Sequence, residues 1–97
     1  MVFTIDEIKN IAIPIAYEFG ISKLGLFGSY ARGDEDEDSD LDFYIDRGQM
    51  RSLLEYTSFV MKLEEEFNCH VDVVSIGIKD KEFINSILKE GFLIYEK

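Results

Sequence analysis

Asp40 and Asp42 stand two residues apart in Ser39-Asp40-Leu41-Asp42-Phe43-Tyr44-Ile45, a stretch whose aromatic and branched residues suit a pleated, partly buried strand. Side chains two apart on a strand share a face, so two like charges are forced together. Carboxylates that close cannot both stay ionised cheaply: one takes up a proton, or a cation sits between them. A third acid, Asp72, stands alone among Val71, Val73 and Val74. If its strand lies beside the first with Asp72 on the same face, three hard oxygen donors converge, a set suited to Mg²⁺ or Mn²⁺. The bland alternative is three solvated acids, two continuing a charged loop and one at a strand edge. Upstream, Gly28-Ser29 falls where a strand gives way to a helix, and the unpaired N–H groups of such a junction suit phosphate, with the Ser29 hydroxyl as a further donor.

Two better-known loops fail on inspection. Gly28 and Gly33 have the spacing of a P-loop, but Asp34 and Glu35 follow where Lys and Ser or Thr are required. An EF-hand frame from Asp34 puts Ser39 at the glycine position and Ile45 at the bidentate glutamate, and the frames from Asp36 and Asp38 end on Arg47 and Gln49. Cys69 and His70 are adjacent, yet with no other Cys or His in the chain they assemble no zinc set and read as structural. Arg32 has two readings of equal weight, a phosphate contact or a clamp on the acidic loop. Tyr30 and Tyr44 are near enough to the loop to stack on a base, although Tyr44, beside Phe43, reads better as packed.

The elements that must position these residues follow from spacing. Thr4 with Glu7 is a capping box, and Ile5, Ile8, Ile11, Ala12, Ile15, Ala16 and Phe19 continue at helical intervals over residues 5 to 19, with Pro14 predicting a bend and Gly20 a stop. Lys23 to Phe27 reads as a strand, Ser29 to Gly33 as a turn opening a short helix, and residues 41 to 46 as the second strand. A long helix is expected from Gln49 to Phe67, fraying where Glu64, Glu65 and Glu66 oppose its dipole. His70 to Ile76 is the third strand. Asp80 is placed to cap a last helix bearing Phe83, Ile84, Ile87 and Leu88, Gly91 ends it, and Phe92 to Tyr95 reads as an apolar tail. The result is a small α/β unit of about three strands flanked by helices, its strand order unread.

Ninety-seven residues suit a single domain spanning 1–97, with 46% apolar residues and one proline, so the chain is expected to fold. One cysteine excludes an internal disulfide, and no long uncharged run or apolar leader is present, which points to a soluble, cytoplasmic protein with no membrane contact. The net charge is −10, and eight of the 20 acids fall in thirteen consecutive positions, Asp34 to Asp46, without a Lys or Arg. Such a surface repels a bare phosphate backbone, so direct nucleic-acid binding is disfavoured; divalent cations and basic protein partners are favoured.

Taken together, the segment LFGSYARGDEDEDSDLDFYID, residues 26 to 46, resembles the signature of the minimal nucleotidyltransferases of the DNA polymerase β-like superfamily. Gly28, Ser29, Ala31, Arg32, Gly33, Ser39, Asp40 and Asp42 match that pattern in place. The resemblance implies a mixed sheet with flanking helices, ATP held by Gly28, Ser29 and Arg32, and two Mg²⁺ ions: Asp40 and Asp42 shared by both, Asp72 completing the nucleophile-side ion and accepting the proton. It also implies an acceptor on another chain, since 97 residues leave no room for an acceptor domain. In such families the partner is a HEPN-domain RNase toxin, AMP is transferred from ATP to a toxin tyrosine, and the two chains form a hetero-oligomer. Two other functions share the motif: a stoichiometric binding antitoxin with a vestigial site, and transfer to a small molecule. All of this requires Asp72 on the same side of the sheet as Asp40 and Asp42.

Overall fold

The structure, a computed structural model, describes residues 2–48, 50–77 and 81–97. Thr4 accepts the Glu7 N–H at 3.1 Å while Glu7 Oε1 accepts the Thr4 N–H at 2.9 Å, the reciprocal cap the sequence predicts. The helix it starts, α1 (Ile5–Glu18), continues through Pro14, and Gly20 in a left-handed conformation turns the chain out of it. β1 (Lys23–Phe27) leads through Gly28 into the one-turn helix α2 (Ser29–Arg32), and β2 (Leu41–Asp46) follows the acidic loop. α3 (Leu53–Phe67) begins four residues later than the apolar spacing suggests, because Ser52 caps it by accepting the Glu55 N–H at 3.1 Å. Its far end does not fray: Glu66 pairs with Lys62 at 3.3 Å, Glu64 accepts the Val71 N–H, and Asn68 in the left-handed region closes the turn. β3 (Val71–Ser75), α4 (Lys81–Glu90) and β4 (Phe92–Glu96) complete the order; the proposed Asp80 cap lies outside the described residues.

The expected tail is thus a fourth strand. It pairs antiparallel with β1, so the sheet runs β3-β2-β1-β4, with β1 also antiparallel to β2 and β2 parallel to β3. A four-residue apolar segment has no periodicity that separates a strand from a loose end; only the open edge of β1 decides it.

Alternation sorts the sheet into two faces. Leu24, Leu26, Leu41, Phe43, Ile45 and Val71 join Ile8, Ala12, Ile15 and Ala16 of α1 and Phe59, Leu63 and Phe67 of α3 in one buried core. The intervening residues Gly25, Asp42, Tyr44 and Asp72 therefore face away from that core. Tyr44, Ile84 and Ile87 are buried outside it. Among the described residues no helix is long and apolar enough to cross a membrane.

Gly25 lies opposite Tyr44 in the β1–β2 register, and a Cβ there would overlap the tyrosine ring itself. Gly25→Ala is expected to destabilise the protein by about 1–3 kcal/mol, a fall of roughly 4–8 °C in melting temperature for each kcal/mol. Calorimetric melting of the variant checks this, and an unchanged melting temperature would show that the ring has room to move.

Candidate active site

The face of the sheet opposite the core helices carries the acids. β2 and β3 run parallel with Asp42 paired to Asp72, so the two carboxylates leave adjacent strands on one side. Asp40 immediately precedes β2 and keeps the same alternation. Burial comes first among the causes that push the Asp42 carboxyl up from 3.8 to about 6; the charge and hydrogen bonding of Asp72 and then the charge of Asp40 add to it, against a smaller opposing pull from Arg32. The face therefore holds more negative charge than it can stabilise alone.

Asp72 has one more neighbour. His70 Nε2 lies 3.0 Å from Asp72 Oδ1, while His70 Nδ1 lies 3.2 Å from Glu64 Oε2. The hydrogen bond to Asp72 raises the imidazole pKa above its ordinary value, as do the surrounding carboxylates. Ligating atoms of Asp40, His70 and Asp72 all come within 4.8 Å of one another. His70 is a site residue that reading for zinc sets passes over. Its signal was present: it precedes Asp72 by two, the spacing that puts both on one strand face.

Gly28 joins the turn to the acids. It holds φ +76°, open to glycine at no steric cost, and a Cβ added there would collide with Asp42 Oδ2. Only a residue without a side chain lets the backbone lie this close to that carboxylate. The Ser29 hydroxyl takes no hydrogen bond among the described residues, and the Ser29 and Tyr30 N–H groups at the start of α2 likewise donate to nothing described. The Gly28 N–H is committed: it donates to Glu90 Oε1 at 3.0 Å.

Arg32 takes the clamp reading. Its Nε meets Asp34 Oδ2 at 3.2 Å and its Nη1 meets Glu90 Oε1 at 2.7 Å, joining the acidic loop to the end of α4. The loop is itself ordered, with Ser39 Oγ accepting the Asp36 N–H and Asp36 Oδ1 accepting the Asp38 N–H, both at 2.9 Å. Tyr30 and Tyr44 are only 3% and 4% exposed, and the Tyr30 hydroxyl accepts the Phe3 N–H, so neither offers a free ring to a base.

The sequence model of the family described as "Polymerase beta, Nucleotidyltransferase" matches residues 7–97. This chain belongs to the polymerase β nucleotidyltransferase family. Among its relatives is a Methanocaldococcus jannaschii chain provisionally named a protein adenylyltransferase, 39% identical over 89 residues, covering 92% of this chain and 90% of that one. The protein adenylyltransferase MntA of Thermococcus cleftensis is 33% identical over 91 residues, covering 90% and 92%. A solved toxin–antitoxin complex with AMP-PNP superposes with a TM-score of 0.80 over 92% of this chain and 73% of that one; at 19% identity this shows a shared fold. The nucleotidyltransferase thus carries its acids, its glycine-serine turn and Arg32 on one contiguous surface.

Asp42 gives the site a pH signature. Its folded-state value is raised, so the folded protein gains from the bound proton below about 4 and loses that gain as pH climbs through about 6. Asp42→Asn is therefore expected to melt higher than the unaltered protein at pH 8 without divalent metal. Solvent still reaches this carboxyl, which screens the effect to about 1 kcal/mol, or roughly 4–8 °C. The gap should close by pH 4. Melting curves in chelator at the two pH values decide it; an Asn variant less stable at pH 8 would contradict this electrostatic picture.

Proposed function

We propose that this chain is a protein adenylyltransferase that moves AMP from ATP to a hydroxyl, by resemblance a tyrosine's, of a partner HEPN RNase toxin, and so acts as that toxin's antitoxin. The observation that carries the reading is the Asp42–Asp72 pairing beside Asp40 and against Gly28, which sets a cation-seeking acid cluster next to a turn with uncommitted donors. The names of the relatives, protein adenylyltransferases and a toxin–antitoxin complex holding an ATP analogue, support it.

The donor set fits a divalent cation. Carboxylate oxygens are hard ligands, and the raised Asp42 pKa marks a charge that a cation would relieve. Asp40 and Asp42 would hold two Mg²⁺, with Asp72 completing one of them. When bound, Mg²⁺ neutralises triphosphate charge and makes the acceptor hydroxyl more acidic. In the transfer itself, the acceptor oxygen attacks the α-phosphorus in line, the bond to the leaving pyrophosphate breaks, and the hydroxyl proton passes to Asp72. The Ser29 hydroxyl and the Ser29 and Tyr30 amides hold the terminal phosphates as pyrophosphate departs. Arg32 is close enough to the turn to add charge there. A basic partner surface would be drawn by the net charge of −10.

The test is the mass of the partner. Incubation with the HEPN protein, ATP and Mg²⁺, followed by denaturation and intact-mass measurement, is expected to show one or more AMP increments on the toxin. Asp42→Asn should slow their appearance by about 100-fold or more, the scale on which lost transition-state electrostatics is felt. Toxin inhibition without any mass change, in a complex that dissociates steeply with salt, would replace transfer by simple binding.

A further inference from the structure

The end of α4 reaches the glycine-serine turn across the edge of β1. β1 and β4 pair Lys23 with Glu96 and Leu24 with Tyr95, then shift by one residue so that Gly25 faces Leu93 and Leu26 faces Phe92. Gly91 then joins β4 to the last residue of α4, Glu90. Gly91 is itself constrained, since a Cβ on it would collide with the Leu26 carbonyl oxygen. The close approach of the two backbones delivers Glu90 to its partners.

A single oxygen, Glu90 Oε1, then accepts both the Gly28 N–H at 3.0 Å and Arg32 Nη1 at 2.7 Å. Asp34 holds Arg32 from its other edge through Nε. Arg32 is half exposed, and a free arginine would lose its rotamer freedom on being ordered by a ligand. Here two carboxylates have already ordered it, and its Nη2 remains uncommitted among the described residues. The guanidinium is thus held in place with its Nη2 donors free for a phosphate oxygen.

We infer that Glu90 is a positioning residue for nucleotide capture: by tying Gly28 and Arg32 together it pre-organises the turn and the guanidinium for the triphosphate. The inference rests on the nucleotidyl-transfer reading and adds to it a residue from the far end of the chain. The geometry favours support over competition, because Glu90 uses one amide and one guanidinium nitrogen and leaves the Ser29 hydroxyl, the Ser29 and Tyr30 amides and Arg32 Nη2 uncommitted.

The experiment is a calorimetric titration of the full chain with ATP and Mg²⁺, comparing the unaltered protein with E90A, E90Q, R32A and the E90A/R32A double variant. E90A is expected to weaken binding about tenfold, since the nucleotide must then order the turn and the guanidinium itself. E90Q, which keeps an acceptor oxygen, should recover most of it. In the R32A background, E90A should add less than about twofold, since the two act as a unit. If E90A does not fold, E90D, which withdraws the carboxylate by one methylene, is expected to show the same weakening. Unchanged affinity in E90A or E90D, tighter binding, or losses that multiply in the double variant would overturn the assignment; tighter binding would make Glu90 a competitor of phosphate. Failure of the unaltered protein to bind ATP with Mg²⁺ would remove the nucleotidyl-transfer reading and this inference together, before any variant is compared.

Discussion

Two carboxylates set across from one another in a parallel ladder repel at close range, and a folded chain accepts that arrangement only where something else compensates. In this protein the pair is Asp42 and Asp72, with Asp40 one residue before the strand. The β2–β3 register is held by the other face of the same strands, where Leu41, Phe43, Ile45 and Val71 are buried against α1 and α3. A slip of one residue would carry that apolar set into solvent and the acids into the core. The hydrophobic side of the sheet therefore fixes where the charges must meet. Burial first, and after it the charge of these neighbours, raises the Asp42 pKa, while Asp72 also makes a hydrogen bond with His70.

The glycine-serine turn shares this constraint because Gly28 lies against Asp42 with no space for a Cβ. Turn and acid pair are therefore held side by side, and a cation held by the acids would sit beside the donors at the start of α2. The β1–β4 pairing secures the turn from the opposite side, bringing Glu90 to Gly28 and Arg32. The site is built from three separated stretches of the chain, and each is placed by backbone pairing of the sheet.

Much of this was legible in the sequence, for identifiable reasons. Thr4 with Glu7, the strand at Lys23 to Phe27, and the spacing of Asp40, Asp42 and Gly28-Ser29 are local signals that neighbouring residues decide, and the structure follows them. That Asp72 shares a side with Asp42 could be stated only as a requirement, because parallel register is a long-range fact; the structure meets it. His70 had a local signal, its two-residue offset from Asp72, hidden by the absence of any zinc partner. The fourth strand and Glu90 had none. Phe92 to Glu96 becomes a strand because β1 has an open edge, and Glu90 reaches the turn because the chain at Gly91 lies close against the end of β1. Arg32 was undecided for the same reason: its clamp partner Asp34 is two residues away, but Glu90 is 58 residues away.

The central claim is that the acid cluster is built to exchange a proton for a divalent cation. Titrating the protein with Mn²⁺ alone, in buffers of differing ionisation enthalpy, counts the protons released on binding. With Asp42 near pKa 6, its own share of the release should be about half a proton per cation bound at pH 6, falling toward zero by pH 8, and Asp42→Asn should remove that share, leaving what His70 gives up as the cation takes over its carboxylate neighbours. Mn²⁺ binding with no proton release at pH 6, or the same release in the Asn variant, would contradict the account.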